Sequence, residues 1–371
     1  MKLIILRNNL KEGLSAVEKA VTESTTLPIL KNVLLKTFNN RIKIDSTNLE
    51  LGISRFISGK IIEEGSVTIP FSVFFNIINN SDSERINLET DKNNLIIKTD
   101  NYEAKIQGIS PEEFPIIPKI NNSDYYFKIN SDLLKRSFLK VINCAQLSEI
   151  RPEISGVLFD FQLTLLKLVA TDSFRLAEKN IYNNQFNSNF NRGFKIIIPI
   201  KTVQEVIRIF SNEEPINIYI DPNQISFKND NLELISRLID GEYPDYEQII
   251  PKNEDVEIVI NKNHFINSLK LVSNFSSKIN DIKLKLGEGK KNLEVYSANQ
   301  YLGENNYFIP IKLKGKDFGE VKFNWRYLLD GLKNIDSENV IFNINGDIKP
   351  AVLKSTEDTS YFYILMPIKS S

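Results

Sequence analysis

The chain repeats itself three times, and this restricts the folds open to it more than any other feature. The first copy opens Leu3-Ile4-Ile5-Leu6-Arg7-Asn8-Asn9-Leu10, the second Phe127-Lys128-Ile129-Asn130-Ser131-Asp132-Leu133-Leu134, and the third Ile258-Val259-Ile260-Asn261-Lys262-Asn263-His264-Phe265. Each is a short apolar strand, a polar residue suited to accept from a free helical N–H, and then helical periodicity. Asn8, Ser131 and Asn261 are the residues expected near those helix starts. Midway, residues 41–48, 166–173 and 293–300 match as strands that run into small polar turns, which sets Ser46 level with Thr171. Further on, Val67-Thr68-Ile69-Pro70, Ile196-Ile197-Ile198-Pro199 and Val321-Lys322-Phe323-Asn324 each lead into a second helix. Glu113-Phe114-Pro115 and Glu242-Tyr243-Pro244 close the first two copies. The pattern predicts an α+β protein of three repeated domains, each two helices packed on antiparallel sheets. The domains are expected at 1–122, 123–253 and 254–371, with joints in the polar stretches 121–124 and 252–255.

Length agrees, since 371 residues are too many for one ordinary core. No apolar run approaches the roughly 18–20 residues that span a bilayer. The N-terminus is apolar only briefly before Arg7, too short for a signal-peptide core, so a cytoplasmic protein is expected. One cysteine, Cys144, forbids an intrachain disulfide, and with one histidine, His264, a Cys/His zinc site lacks ligands. Both are expected to pack in the interior.

Nothing in the sequence builds a catalytic centre. The P-loop pattern and the G-x-S-x-G elbow are absent. Gly287-Glu288-Gly289-Lys290-Lys291 reads as a hairpin turn, and Trp325 at a helix start reads as packing. A Ser-His-Asp triad would have to use His264, beside apolar Phe265 on a helix. Acidic pairs such as Asp100/Glu103 and Glu112/Glu113 have no ligand spacing. No cofactor and no metal are expected.

Charge poses the sharper question. There are 46 Lys and Arg against 47 Asp and Glu, whereas a protein that wraps nucleic acid by charge alone is normally basic. Positive charge must therefore be gathered on one surface if DNA is the partner. The helices offer such a surface. Leu134, Phe138, Val141 and Ile142 share one helical face, with Arg136 and Lys140 opposite. Val203, Val206, Ile207 and Phe210 leave Lys201 and Arg208 opposite, and Leu328, Leu332 and Ile335 leave Arg326 and Lys333. Lys270 points away on the preceding helix. The first copy is weaker: Lys19 shares its face with Glu12 and Glu23, and Phe75 and Ile78 oppose Val73 and Ile77. By periodicity alone such faces are simply solvated.

Six segments occur in order that carry a family likeness: Thr26-Leu27-Pro28-Ile29-Leu30, Arg151-Pro152-Glu153-Ile154-Ser155-Gly156-Val157-Leu158, Ala170-Thr171-Asp172-Ser173-Phe174-Arg175-Leu176-Ala177, Tyr243-Pro244-Asp245-Tyr246, Arg326-Tyr327-Leu328-Leu329-Asp330 and Met366-Pro367-Ile368. Together they resemble the bacterial DNA sliding clamps, the beta subunit of DNA polymerase III. The resemblance implies three domains in a crescent, and two crescents joined head to tail as a ring lined by helices. It implies a processivity factor that catalyses nothing. Its partners would be duplex DNA without regard to sequence, a second copy of itself, and the replicative polymerase, clamp loader and repair proteins. The last three would dock a short Gln-Leu-x-Leu-Phe-like motif between the second and third domains.

By motif match that pocket would use Ile154, Thr171, Ser173, Phe174, Arg175, Leu176, Pro244, Gln248, Ile249, Ile364, Met366, Pro367, Ile368 and Lys369. Arg175 and exposed backbone groups would fix the peptide's register. The resemblance makes Lys19, Ser24, Arg136, Lys140, Lys201, Arg208, Lys270, Arg326 and Lys333 candidates for the DNA-facing surface. It puts the ring interface near Ala104 and Ile106 on one side and Leu271 and Val272 on the other. The chain departs from the family where Ser173-Phe174 stands for a common Gly-His, where Gln248 lies near a usual arginine, where the polar tail Ile368-Lys369-Ser370-Ser371 follows Pro367, and where Ser24 stands for an arginine that often precedes the Thr-Leu-Pro-Ile-Leu segment. The competing expectation is a clamp-like docking scaffold that does not encircle DNA.

Overall fold

The computed structural model describes residues 1–24, 26–120, 125–252 and 255–369. The expected domain joints, in 121–124 and at 253–254, lie outside them. Among the described residues there are six α-helices: α1 Arg7–Val17, α2 Phe71–Asn80, α3 Ser131–Ile142, α4 Ile200–Ile209, α5 Lys262–Val272 and α6 Trp325–Lys333. Each follows directly on a strand, two helices to a repeat.

The helix starts follow the capping chemistry, with two corrections. Asn261 accepts from the His264 N–H at 3.1 Å, and Asn324 from the Arg326 N–H at 3.0 Å. At α3 the cap is Asn130, which accepts from the Leu133 N–H at 3.1 Å; Ser131 instead donates its hydroxyl to the Ser211 carbonyl. Asn8 lies inside α1, which begins without a side-chain cap. The core face of α2 is Phe71, Phe74 and Ile78, leaving Val73 exposed. Cys144 is buried, and burial pushes its thiol far up. His264 is exposed on α5, because its neighbour Phe265 takes the inward position.

The chain forms two compact units. One comprises 1–133, 186–190 and 201–238, the other 134–185, 191–200 and 239–371. The first unit holds a five-stranded and a nine-stranded sheet, the second a twelve-stranded sheet. The second repeat is divided between the units, and in each it shares a sheet with a neighbouring repeat. In the nine-stranded sheet its strand Leu232–Arg237 pairs antiparallel with Leu51–Ile57 of the first repeat, Ser236 opposite Leu51. In the twelve-stranded sheet its strand Arg175–Tyr182 pairs antiparallel with Tyr361–Leu365 of the third repeat, Arg175 opposite Leu365.

The turns before Leu51 and Arg175 are built alike. Asn48 accepts from the N–H groups of Glu50 and Leu51, and Asp172 from those of Phe174 and Arg175. Leu49 and Ser173 both adopt the left-handed region, at φ 73° and 76°. Thr47 therefore sits level with Thr171, one residue away from the alignment drawn on sequence. Turn chemistry fixed that register, where side-chain similarity had suggested another.

Helix ends meet beside both shared sheets. In the first unit Arg208 of α4 donates to the carbonyls of Ser15 and Ala16, at 2.8 and 3.1 Å, where α1 ends. Glu205 holds the guanidinium from the other side at 2.6 Å. A cation on terminal helix carbonyls satisfies acceptors that have no intrahelical partner. In the second unit Asn334 donates to the Lys140 carbonyl of α3 at 3.3 Å, and Lys140 pairs with Asp336 at 2.6 Å. Replacing Arg208 by Ala should weaken the last turn of α1. Amide hydrogen exchange there should speed up about tenfold, with far less effect at α5.

Candidate functional site

The candidate docking-site residues cluster in the second unit around the Asp172–Arg175 turn. One Asp172 oxygen accepts the two turn amides at 2.9 Å each, and the other takes Arg175 Nε at 2.9 Å. Arg175 Nη1 reaches Asp330 of α6 at 2.6 Å, and its guanidinium stacks 4.3 Å from the Tyr327 ring centre. The fork of Arg175 is thus occupied within the protein, and the side chain braces the turn. Ser173 accepts from Arg151 Nη1 at 2.9 Å, a bond that glycine could not offer. The backbone here is left-handed, at φ 76°, a region that favours glycine.

Behind the turn lies a buried apolar floor. Leu158, Val169, Leu176, Tyr246, Val352 and Ile364 form one cluster, with Tyr243, Ile250 and Phe362 packed against it. Tyr246 donates its hydroxyl to the buried Glu178 carboxylate at 2.8 Å. Burial first, and then the charge of Glu178, push that phenol well up, so it stays a donor. The Met366 N–H bonds the Phe174 carbonyl at 2.8 Å, and the Ile368 N–H bonds the Lys322 carbonyl at 2.8 Å. These bonds carry the C-terminal strand past the turn.

The expected pocket residues divide into floor and rim. Ile154, Thr171, Leu176, Ile364 and Pro367 are buried. Arg175, Pro244, Met366 and Ile368 are half-buried, and Ser173, Phe174, Gln248, Ile249 and Lys369 are exposed. Phe174, 60 % exposed, is the large apolar group of the rim. Sequence reasoning missed Leu158, Val352 and Tyr246. The last could have been found from the matching Glu-aromatic-Pro segments, which set Tyr246 level with Ile117.

The other shared sheet shows why this joint, rather than the first, offers an apolar floor. There the register puts Asp45, Gly52 and Ser226 where the docking site has Val169, Leu176 and Val352. Asp45 is buried between Lys36 and Lys43, at 3.0 and 2.8 Å. A Cβ on Gly52 would lie 2.8 Å from the Ile117 side chain, so the space above this glycine is already filled.

The candidate DNA-facing cations are not equivalent. Arg136, Lys201, Lys270, Arg326 and Lys333 are exposed on their helices. Arg326 lies over the Trp325 ring at 5.3 Å. Lys19 is exposed beside Glu18 at 3.0 Å, and Ser24 accepts from the Leu27 N–H at 3.1 Å. Lys140 is a correction: its side chain is only 13 % exposed, turned onto Asp336 and the Tyr361 ring. Arg208 is another, its guanidinium being committed to Glu205 and the end of α1. In both, a neighbouring acceptor outcompetes water for a cation that periodicity placed on the open face.

At the candidate ring-interface positions, Glu103–Ile106 is the end strand of the five-stranded sheet, so one of its edges is unpaired among the described residues. Ala104 is half-buried on it and Ile106 is buried. Leu271 is 50 % exposed at the end of α5. Val272 is fully buried in the core and cannot present a surface, because the helical turn aims it inward. Sequence reasoning missed a second unpaired edge. Strand Gly303–Gly315 pairs with Asn292–Asn299 through 303–310 and with Val256–Asn261 only through 311–315. Residues 303–310 therefore keep one free side among the described residues, and Phe308 is exposed there. A cleft of about 450 Å³ at the end of α2 is lined by Ile77, Tyr102 and their polar neighbours.

Among the described residues no group of three or more His, Cys, Asp or Glu side chains is placed to hold a metal ion. No helix there is long and apolar enough to cross a membrane.

Three family descriptions match in chain order: the N-terminal domain of the DNA polymerase III beta subunit over residues 1–118, its central domain over 128–245 and its C-terminal domain over 247–369. The chain is 28 % identical to the beta sliding clamp of Staphylococcus epidermidis over 381 aligned positions, covering all of both chains. It is 28 % identical over 380 positions to that of Staphylococcus aureus, again end to end. The crystal structure of the Bacillus subtilis DNA polymerase sliding clamp superimposes over the whole of both chains with a TM-score of 0.94 at 25 % identity. A three-domain α+β fold with six helices on antiparallel sheets is thus that of the sliding clamps. The chain belongs to the DNA polymerase III beta subunit family.

The turn that carries the docking site can be tested by itself. Asp172→Ala removes the acceptor of both turn amides and one partner of the half-buried Arg175, and should cost about 2–4 kcal/mol in urea unfolding. Asp172→Asn keeps the amide bonds and should cost roughly half as much.

Proposed function

We propose that two copies of this chain close head to tail into a ring around duplex DNA, and that the Asp172–Arg175 site holds partner proteins on that ring. As a member of its family the chain is a sliding clamp, a processivity factor for DNA polymerase, and not an enzyme.

One observation carries the ring. Each repeat has two kinds of strand edge that can pair between repeats, and every joint within the chain pairs one kind with the other. Leu51–Ile57 takes Leu232–Arg237, and Arg175–Tyr182 takes Tyr361–Leu365. The third member of each kind, residues 303–310 and Glu103–Ile106, is left unpaired. Exposed edges invite pairing, and edges at opposite ends of a repeated series pair heterologously. Helix ends repeat the pattern: α1 meets α4 and α3 meets α6 at the two joints, which leaves the end of α5, with Leu271, for the cleft at the end of a partner's α2. We assign the domains to 1–122, 123–253 and 254–371. We assign the DNA-facing surface to Lys19, Arg136, Lys201, Lys270, Arg326 and Lys333. Contacts from such side chains to phosphates are independent of sequence and exchange readily, as sliding requires. Docking would bring the replicative polymerase, the clamp loader and repair proteins to one apolar floor, in the cytoplasm on the nucleoid.

The pairing of Lys19 with Glu18 engages the one candidate cation of the first repeat, and this favours the scaffold reading. Topology separates the two. The protein would be loaded on nicked circular DNA by its cognate loader and ATP, and the DNA then cut once. Retention on circles and loss from the linear form is expected. Equal retention on both forms, or none despite an active loader, contradicts encirclement.

A further inference from the structure

Beside the docking site lies a second cleft of about 410 Å³, within the range of small ligand and peptide sites. Its floor is Leu158 and Ile197, and Tyr243, Pro244 and Tyr246 form its wall. Tyr246 separates the two sites: it packs in one cluster with Leu176 and Ile364, and it also lines this cleft. Pro244 belongs to both.

Two features say what the cleft would take. The first is an open sheet edge. Strand Phe194–Pro199, which supplies Lys195 and Ile197, ends the twelve-stranded sheet. Among the described residues its outer side is bridged only where the Ile239 N–H bonds the Ile197 carbonyl at 3.0 Å. An extended segment can lie along such an edge. The second is charge. Lys195 is matched by Asp160 at 3.5 Å and Glu247 by Lys167 at 2.8 Å. Glu242 has no ion-pair partner among the described residues, and Asp245 accepts only the Gln248 amide at 2.7 Å. The rim thus carries two uncompensated carboxylates over an apolar floor.

We infer that this cleft binds the stretch of a partner protein that flanks its docking motif, and that it selects an extended segment with a large apolar residue followed by lysine or arginine. The inference rests on the docking reading above. The motif fills the floor by Leu176 and Ile364, the chain crosses Pro244, and the flank settles against Ile197 with its cation between Glu242 and Asp245.

Fluorescence anisotropy with labelled peptides on the full chain tests this. One peptide carries a Gln-Leu-x-Leu-Phe-type motif alone. Others carry it with a Leu-Lys-Arg extension at either end, or with a Leu-Glu-Glu extension as control. One basic extension should bind about tenfold more tightly than the motif alone, and the acidic one should gain nothing. In the Glu242→Gln/Asp245→Asn double variant that gain should vanish while the motif alone binds as before, which also shows that the variant is folded. If neither basic extension improves binding, or the gain survives in the variant, the cleft assignment is wrong. If the motif alone fails to bind the wild-type chain, the docking reading itself falls, and this inference with it.

Discussion

An antiparallel strand edge that must find a partner is the constraint on which the rest of this structure depends. Every strand presents backbone donors and acceptors on two sides, and those left open are costly or sticky. This chain meets the demand twice by bonding one repeat to the next across a shared sheet. The sheets are therefore continuous across repeats, and the second repeat is divided between two compact units. A threefold series joined at two places leaves one edge of each kind over, and a second copy is the partner we propose for both.

The candidate docking site is a by-product of the same joint. Where Arg175–Tyr182 meets Tyr361–Leu365, the turn before the first strand and the chain after the second come side by side, tied by the Met366 N–H. The other joint has the same backbone and no apolar floor, because Asp45, Gly52 and Ser226 replace three apolar residues and Ile117 fills the remaining space. Geometry supplies the position, and the side chains decide whether it can receive a ligand. Arg175 shows the difference between presence and availability. It is at the site, but Asp172, Asp330 and the Tyr327 ring already use it.

Much of this was legible in the sequence, because the repeat exposes strand and helix order three times over. Leu134, Phe138, Val203 and Leu328 were read as core from their spacing alone, and they are buried. Long-range pairing was not legible. Nothing near Lys140 or Arg208 in the sequence announces that Asp336 or the end of α1 lies within reach. Val272 was misread because an offset of one residue on a helix turns a side chain by about 100°. The alignment at Thr47 and Thr171 slipped by one for a related reason: similar polar residues fit two registers, and only the Asx hydrogen bonds choose between them. The free edge at 303–310 could not be seen until the whole sheet order was known.

Near-neutral overall charge is compatible with DNA binding if cations and anions are sorted between surfaces, and the exposed Arg136, Lys201, Lys270, Arg326 and Lys333 all lie on helices. That sorting matters only if the helices face a closed space, so closure is the claim to test. A chain carrying Ala104→Cys on one free edge and Asn305→Cys on the other, with Cys144 replaced by serine, would be oxidised and run on a denaturing gel. A ring predicts a discrete covalent dimer that stops there, because the second cross-link closes the circle. Uncross-linked monomer, or a ladder of ever longer species, would contradict the account.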